Sequence, residues 1–185
     1  MKKIIALVLL TGLIVACGET KKEESSKSEQ LKVRISEMED SLSRLTKDPK
    51  TAAKIPNLTH LELINRLLDY YHAFPEDTFS AECLFKVHMK FSELNVHERA
   101  IQYGDTLLMA FPKYKNRDFV LESIAVTYDA LQEPRDSAMV RKYYNLLLKE
   151  NTVPADKKED IKKRLKYNHL DFYAYINKVN NFPAK

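Results

Sequence analysis

The stretch AECLFKVHMKFSELNVHERAIQYGDTLLMAFP, residues 81–112, decides the fold. Its apolar side chains recur every three or four residues in two runs, one on each side of Leu94-Asn95, which predicts two amphipathic helices. The stretch ends in Ala-Phe-Pro, and the same tripeptide occurs 37 residues earlier, at 73–75. Two helices per interval of this length predict a solenoid of helical hairpins, and the alternative is a generic antiparallel helical bundle.

Helical spacing continues on both sides of this stretch. Upstream, a heptad seam is formed by Leu31, Ile35, Met38, Leu42 and Leu45. Downstream, helices are predicted from Asp118 to Leu131, from Pro134 to Glu150, from Asp156 to Tyr167 and around Phe172–Val179. No stretch alternates polar and β-branched apolar residues as a strand would. Only 3 of the 185 residues are glycine, too few for a β-sandwich, a dinucleotide fold or a phosphate-binding loop. The predicted fold class is therefore all-α, with about seven or eight helices.

Polar residues and prolines mark where these helices begin. Thr59 with Glu62 matches a capping box, and Asp77 is placed to cap the following helix. Asn95 is expected to cap the next helix, and Pro134 fits the first turn of a later one.

The first residues are typical of a targeting signal. Lys2 and Lys3 precede a short apolar run that is too brief to span a bilayer, so residues 1–16 are predicted to be a signal peptide. The run ends in LIVAC, residues 13–17, which resembles a bacterial lipobox, and this resemblance implies lipidation of Cys17. The alternative is a signal peptide followed by an incidental cysteine.

Residues 17–30 are almost entirely polar, which predicts a disordered, lipidated tether before the helical domain at 31–180. Its acidic residues Glu19, Glu23 and Glu24 resemble the tags that direct some lipoproteins to the cell surface. The alternative is a plain solvated linker.

Several segments together resemble the tetratricopeptide-repeat lipoproteins of the Gram-negative outer membrane, a family that includes the repeat lipoprotein of the β-barrel assembly machinery. They are Ala73–Pro75, Arg99–Tyr103, Ala110–Tyr114 and the run KNRDFVLESIAVTYDAL at 115–131. In the repeat register, Leu84 and Phe91 take packing positions and Ala100 lies at the helix crossing. The repeat is degenerate, because His88 stands where glycine is usual and Gly104 where an aromatic is usual.

The resemblance implies a lipid-anchored scaffold or adaptor that serves outer-membrane protein assembly or secretion and binds an envelope protein. It would lie on the outer membrane and face the periplasm, with the cell surface as the other location. In this family the first helix of each pair lines a concave groove. Carrying that register over predicts a partner groove of Glu82, Phe85, Met89, Ser92, Phe119, Glu122, Val126 and Asp129. Phe85, Met89 and Phe119 have a second interpretation, as core residues beneath a neighbouring helix.

We predict no catalytic residue, metal ligand, cofactor or nucleic-acid partner. The five histidines lack the spacing of a zinc site, and no nucleophile–base pair is visible along the chain. The alternative function is an envelope enzyme or a peptidoglycan-processing factor. A basic run from Lys157 to Lys166 is predicted to cap the solenoid, or else to meet anionic lipid or an acidic partner.

Overall fold

This computed structural model describes the backbone of residues 2–52 and 55–180, and the side chains of residues 23–50 and 55–180. Within those ranges every regular element is helical, which confirms the predicted all-α fold. The helices are α1 (Lys2–Thr46), α2 (Pro49–Ala52), α3 (Asn57–Ala73), α4 (Thr78–Glu93), α5 (His97–Ala110), α6 (Arg117–Val126), a π-helical turn that continues α6 (Thr127–Leu131), α7 (Ser137–Leu147), α8 (Ala155–Lys166) and α9 (Phe172–Val179).

The chain divides into two compact units, Met1–Ser80 and Ala81–Lys185. In the first unit, α1 packs against α3. Ile35 and Leu42 of the predicted heptad seam are buried, whereas Leu45 at its end is exposed. The α3 side of this core is made by Leu63, Ile64, Leu67 and Tyr70.

The N-terminal part of the chain extends the first helix. The predicted signal peptide and the side chain of Cys17 lie outside the residues whose side chains are described. Of the predicted tether, residues 23–30 belong to α1, and all of them are exposed except the half-buried Ser28. This stretch is therefore solvated, as its composition predicts, but helical. The Ser28 hydroxyl oxygen lies 2.9 Å from the hydroxyl oxygen of Tyr70, and the Tyr70 hydroxyl donates to the carboxylate of Asp77.

Two of the four predicted helix starts fail because the helix begins elsewhere. Helix α3 begins at Asn57, so the Thr59 amide already donates within the first turn, to the carbonyl of Pro56. Helix α7 begins at Ser137 and not at Pro134, and Asp136 caps it by accepting from two backbone amides. The Asp77 prediction is confirmed, since its carboxylate accepts from the amide of Phe79 at 2.7 Å.

Asn95 ends a helix instead of starting one. Its φ of +57° lies in the left-handed region, its amide donates to the carbonyl of Ser92, and the Val96 amide donates to that of Phe91. This pair of hydrogen bonds is the Schellman motif, in which Asn or Gly follows the last helical residue. The predicted cap on α5 is therefore wrong, and α5 has no side-chain cap.

The second unit contains two helical hairpins, α4–α5 and α6–α7, followed by α8 and α9. Buried residues of the first helices repeat at 37 residues, and those of the second helices at 40. Thus Cys83, Leu84 and Val87 on α4 match Val120, Leu121 and Ile124 on α6, and all six are 0% exposed. Similarly, Ala100 and Leu107 on α5 match Val140 and Leu147 on α7, all buried.

Stacked aromatic pairs join the two helices of each hairpin. Phe91 stacks on Tyr103 with ring centroids 5.5 Å apart, and Tyr128 stacks on Tyr143 at 5.7 Å. Ala100 is 1% exposed, as expected for a crossing residue, whereas Ala138, which a 37-residue interval places within one residue of the matching crossing, is exposed. The position that matches Ala100 is Val140, because the second hairpin has a longer connection between its helices.

Candidate functional site

The predicted groove residues are brought together only in part. A hollow of about 240 Å³ lies beside α6, and we refer to it below as the hollow. It contains four of the eight predicted residues, namely Ser92, Phe119, Glu122 and Val126. The rest of its lining is His97, Ser123, Thr127 and Leu131. Its volume is below the roughly 300–1,000 Å³ that is typical of small-molecule sites, but it can admit side chains of another protein.

Large apolar side chains of the hollow are open to solvent. Phe119 is 46% exposed, Val126 39% and Leu131 53%. All three come from the continuous run of α6 and the π-helical turn, so they form one surface. Leu131 was not predicted, because the register of an α-helix does not extend through a π-turn.

The hydroxyl groups in the wall of the hollow are already engaged. Ser92 donates to the carbonyl of His88 at 3.0 Å, and Thr127 donates to the carbonyl of Ser123 at 2.8 Å. The Ser123 hydroxyl lies 3.0 Å from Nε2 of His88. Because these protons are committed, the three hydroxyl groups offer an occupant no free donor, and the exposed side chains beside them are apolar. This combination favours an apolar occupant.

Phe85 and Met89 lie between the two interpretations that the sequence left open, because both are half-buried. The Phe85 ring packs against those of Tyr114 and Phe119, at centroid distances of 5.6 Å and 5.9 Å. The half-buried Phe85 ring therefore packs against the Phe119 ring, and of the two it is Phe119 that is exposed to solvent.

The two glutamates of the predicted groove are held by lysines. Glu82 accepts from Lys115 at 2.8 Å and from the Tyr114 hydroxyl at 3.0 Å. Burial alone would raise the pKa of Glu82, but these two donors lower it below its ordinary value. Glu122 pairs with Lys157 at the start of α8. These carboxylates are therefore already neutralised along the surface of the groove.

Asp129 is a correction to the predicted groove. It is 3% exposed, and its carboxylate accepts from Arg164 at 2.6 and 2.7 Å and from Arg135 at 2.9 Å. A buried carboxylate between two guanidinium groups stabilises the packing of α8 on the π-helical turn and is not available to a partner. Arg164, which we expected within the basic run at the surface, is itself 5% exposed.

The structure also brings together a serine and a histidine that sequence reasoning missed. Nδ1 of His88 lies 2.7 Å from the carbonyl oxygen of Ala100, which can only accept, so Nδ1 carries the proton. Nε2 is then the acceptor for Ser123. The two residues are 35 positions apart, and the one related signal in the sequence is the unusual presence of His88 at a glycine position.

This pair lacks the other parts of a hydrolytic site. Ser123 lies within α6, so its amide is used in the helix and cannot stabilise an oxyanion. The histidine is oriented by a carbonyl where catalytic triads use a carboxylate, and it is 1% exposed. The geometry is that of a buried packing residue with both nitrogens satisfied.

Among the residues with described side chains, no group of three or more His, Cys, Asp or Glu is arranged to hold a metal ion. Over the same part of the chain, no helix is both long and apolar enough to cross a bilayer. Comparison of the chain with protein-family models, with curated proteins and with solved structures finds no match.

Proposed function

We propose that this chain is a lipid-anchored scaffold or adaptor of the bacterial cell envelope that binds another protein through the hollow. The observation that carries the proposal is the exposure of Phe119, Val126 and Leu131 on one wall of that hollow. Exposed apolar groups that cluster in a concavity are typical of protein-binding surfaces.

The lipobox-like sequence at 13–17 supports the other part of the proposal, the lipid anchor. An acylated Cys17 would hold the chain on the outer membrane, facing the periplasm or, through an acidic export tag, the cell surface. A tetratricopeptide-like adaptor in either place would suit outer-membrane protein assembly or secretion.

The hollow is tested by cross-linked pull-down from outer membranes with the double variant Val126→Asp, Leu131→Asp. Both side chains are exposed, so the variant should keep its helicity and melting temperature and lose the partner. Met109→Asp is the matched control, because Met109 is 76% exposed and lies outside the hollow. Recovery of the same partner by the double variant, or its loss in both variants, would place the binding surface elsewhere.

The anchor is tested by labelling cells with palmitate. Cys17→Ser should remove the label and leave precursor or soluble protein. A labelled Cys17→Ser protein would show that the lipobox interpretation is wrong, whatever the result for the hollow.

The alternative function, an envelope enzyme acting on peptidoglycan, would rest on Ser123 and His88. Its test is release of soluble fragments from purified cell wall by the mature protein. Fragment release that is lost in Ser123→Ala, with the fold intact, would replace the adaptor proposal with an enzymatic one.

A further inference from the structure

The last two helices form a basic and aromatic surface. Residues 161–180 carry five basic residues against one acidic residue, a formal charge of +4, which equals the net charge of the whole chain. The acidic residue is Asp171, whose carboxylate accepts from the Ala174 amide at 2.7 Å and so caps α9.

The cations of this segment fall into two groups. Arg164 is paired with Asp129, and Lys163 lies near Glu159 and Asp160. Lys162, Lys166 and Lys178 make no ion pair within the part of the chain that the structure describes. Lys166 and Lys178 come from different helices, yet their ammonium groups lie 6.0 Å and 5.6 Å from the centroid of the Tyr167 ring.

Helix α9 exposes an aromatic ring within this basic segment. None of its residues is buried, and Tyr173 is 77% exposed. It contacts α8 through Tyr175, over whose ring Arg164 lies, and through Lys178 near Tyr167. Phe172 and Val179 are three and four residues from Tyr175 and so lie on the side of α9 that meets α8, which leaves Tyr173 as the exposed ring of this helix.

We propose that Lys162, Lys166, Tyr173 and Lys178, named here the α8–α9 surface, dock the second unit on an anionic lipid membrane. Short amphipathic helices with aromatic side chains and flanking lysines lie in the membrane interface, with the rings at headgroup depth and the lysines on the phosphates. An acidic protein would be matched by the charge, but it gives no reason for the exposed ring of Tyr173.

This proposal rests on the proposed lipid anchor in one respect, since the anchor is what brings the chain to a bilayer. An acylated Cys17 would keep the chain at a high effective concentration beside the lipid, so that a weak second contact is enough. The surface itself is tested without the anchor, in the full chain with Cys17→Ser. Failure of the anchor and failure of the surface then give different results.

The chain has no tryptophan, so Tyr173→Trp introduces a single fluorescent reporter into this surface. With vesicles of phosphatidylglycerol and phosphatidylcholine, its emission should shift to the blue and be quenched by brominated lipid. Both effects should disappear with pure phosphatidylcholine, and also in about 1 M salt, where the Debye length is about 3 Å. Met109→Trp, equally exposed on α5, is the matched control and should not respond.

The lysines are tested by the triple variant Lys162→Gln, Lys166→Gln, Lys178→Gln in the reporter background. Loss of three surface lysines should weaken the vesicle partitioning of the reporter by roughly a hundredfold. The control triple Lys113→Gln, Lys142→Gln, Lys149→Gln removes the same charge from exposed lysines elsewhere and should change little.

Three results would overturn the proposal. One is a reporter at 173 that is not quenched by anionic vesicles. Another is an equal effect of both triple variants, which would assign binding to net charge. The third is a reporter that responds to poly-glutamate and not to vesicles, which would assign the surface to an acidic protein.

Discussion

His88 is an uncharged histidine enclosed by α4, α5 and α6. Its burial lowers its pKa below the ordinary value, and the hydrogen bond to the Ala100 carbonyl and the charge of Asp105 oppose that shift only in part. Protonation would also place a second N–H against Ser123, where the neutral ring accepts. The native state therefore favours the neutral form.

We predict that His88 makes the fold sensitive to acid. Because its pKa is lower in the folded than in the unfolded chain, its stabilising contribution is complete above about pH 6.5 and is lost as the pH falls from there to the folded pKa. Urea unfolding at about pH 7.5 and at about pH 5, on either side of the ordinary histidine pKa of about 6.5, should show a decline in stability that is smaller in His88→Gln. The exposed His169→Gln is the control, and an equal decline in both variants would contradict the role of His88.

Gly104 provides the space that His88 needs. A Cβ at Gly104 would lie 2.9 Å from the terminal methyl of Ile124 and 3.0 Å from Nδ1 of His88. In the second hairpin the matching positions hold Ala125 and Tyr144, both buried. The two departures from the usual repeat pattern thus compensate each other: the large ring stands on the first helix in one hairpin and on the second helix in the other.

We predict that Gly104→Ala destabilises the fold by about 1–2 kcal/mol, although alanine favours a helix interior over glycine by about 1 kcal/mol. The Ile124 methyl can move, whereas the His88 ring is held by two hydrogen bonds. Ile124→Val removes that methyl, so the double variant should be less destabilised than the sum of the two single changes. Strict additivity in urea unfolding would show that the contact does not exist.

At the scale of the helices, Asn95 determines how α4 ends and how soon α5 begins. Its left-handed backbone allows both hydrogen bonds of the Schellman motif and leaves three residues, 94–96, between the two helices. In the second hairpin five residues, 132–136, separate the π-helical turn from α7. The connection is two residues longer, and the π-helical turn extends one residue beyond the position that matches Glu93. Together these three residues explain why the second helices repeat at 40 residues while the first helices repeat at 37.

We predict that Asn95→Gly leaves the melting temperature unchanged or raises it, and that Asn95→Val costs about 1–2 kcal/mol. Glycine adopts the left-handed conformation without strain, whereas a β-branched residue does so at a steric cost. If Asn95 acted instead as the side-chain cap of α5, both changes would lower stability, because both remove the capping oxygen. Thermal unfolding of the two variants distinguishes these outcomes.

At the scale of the molecule, Asp129 connects the second hairpin to the helix that follows it. Arg164 of α8 and Arg135 of the connection before α7 converge on its carboxylate, and Arg135 also donates to the carbonyl and side chain of Asn168. These groups join the π-helical turn to the end of α8 through buried hydrogen bonds.

We predict that Asp129→Asn destabilises the second unit by about 3–5 kcal/mol, since it leaves two guanidinium groups without a counter-charge in the interior. Urea unfolding measures the loss, and limited proteolysis should show earlier cleavage after α7. Glu62→Gln, which breaks a partly exposed pair with Arg66, is the control and should cost less than about 1 kcal/mol. A similar small cost for Asp129→Asn would mean that the network does not hold α8.

The amino-acid sequence by itself determined the helices, the hairpin repeat and most of the core. Apolar residues at three- and four-residue spacing predicted α3 to α9, and the two Ala-Phe-Pro tripeptides predicted where α3 and α5 end, because these signals act within one or two helical turns. Asp77 was identified correctly as a cap for the same reason.

Only the tertiary structure decided which groove residues are accessible. Asp129 and Glu122 have equivalent register on one helix, yet one is buried by two arginines and the other pairs with a lysine near the surface. Asn95 suited either a helix start or a helix end, and the Ser123–His88 contact joins residues far apart in sequence. Each outcome depends on side chains that folding brings from another helix. The spacing of residues along one segment does not predict which side chains those will be.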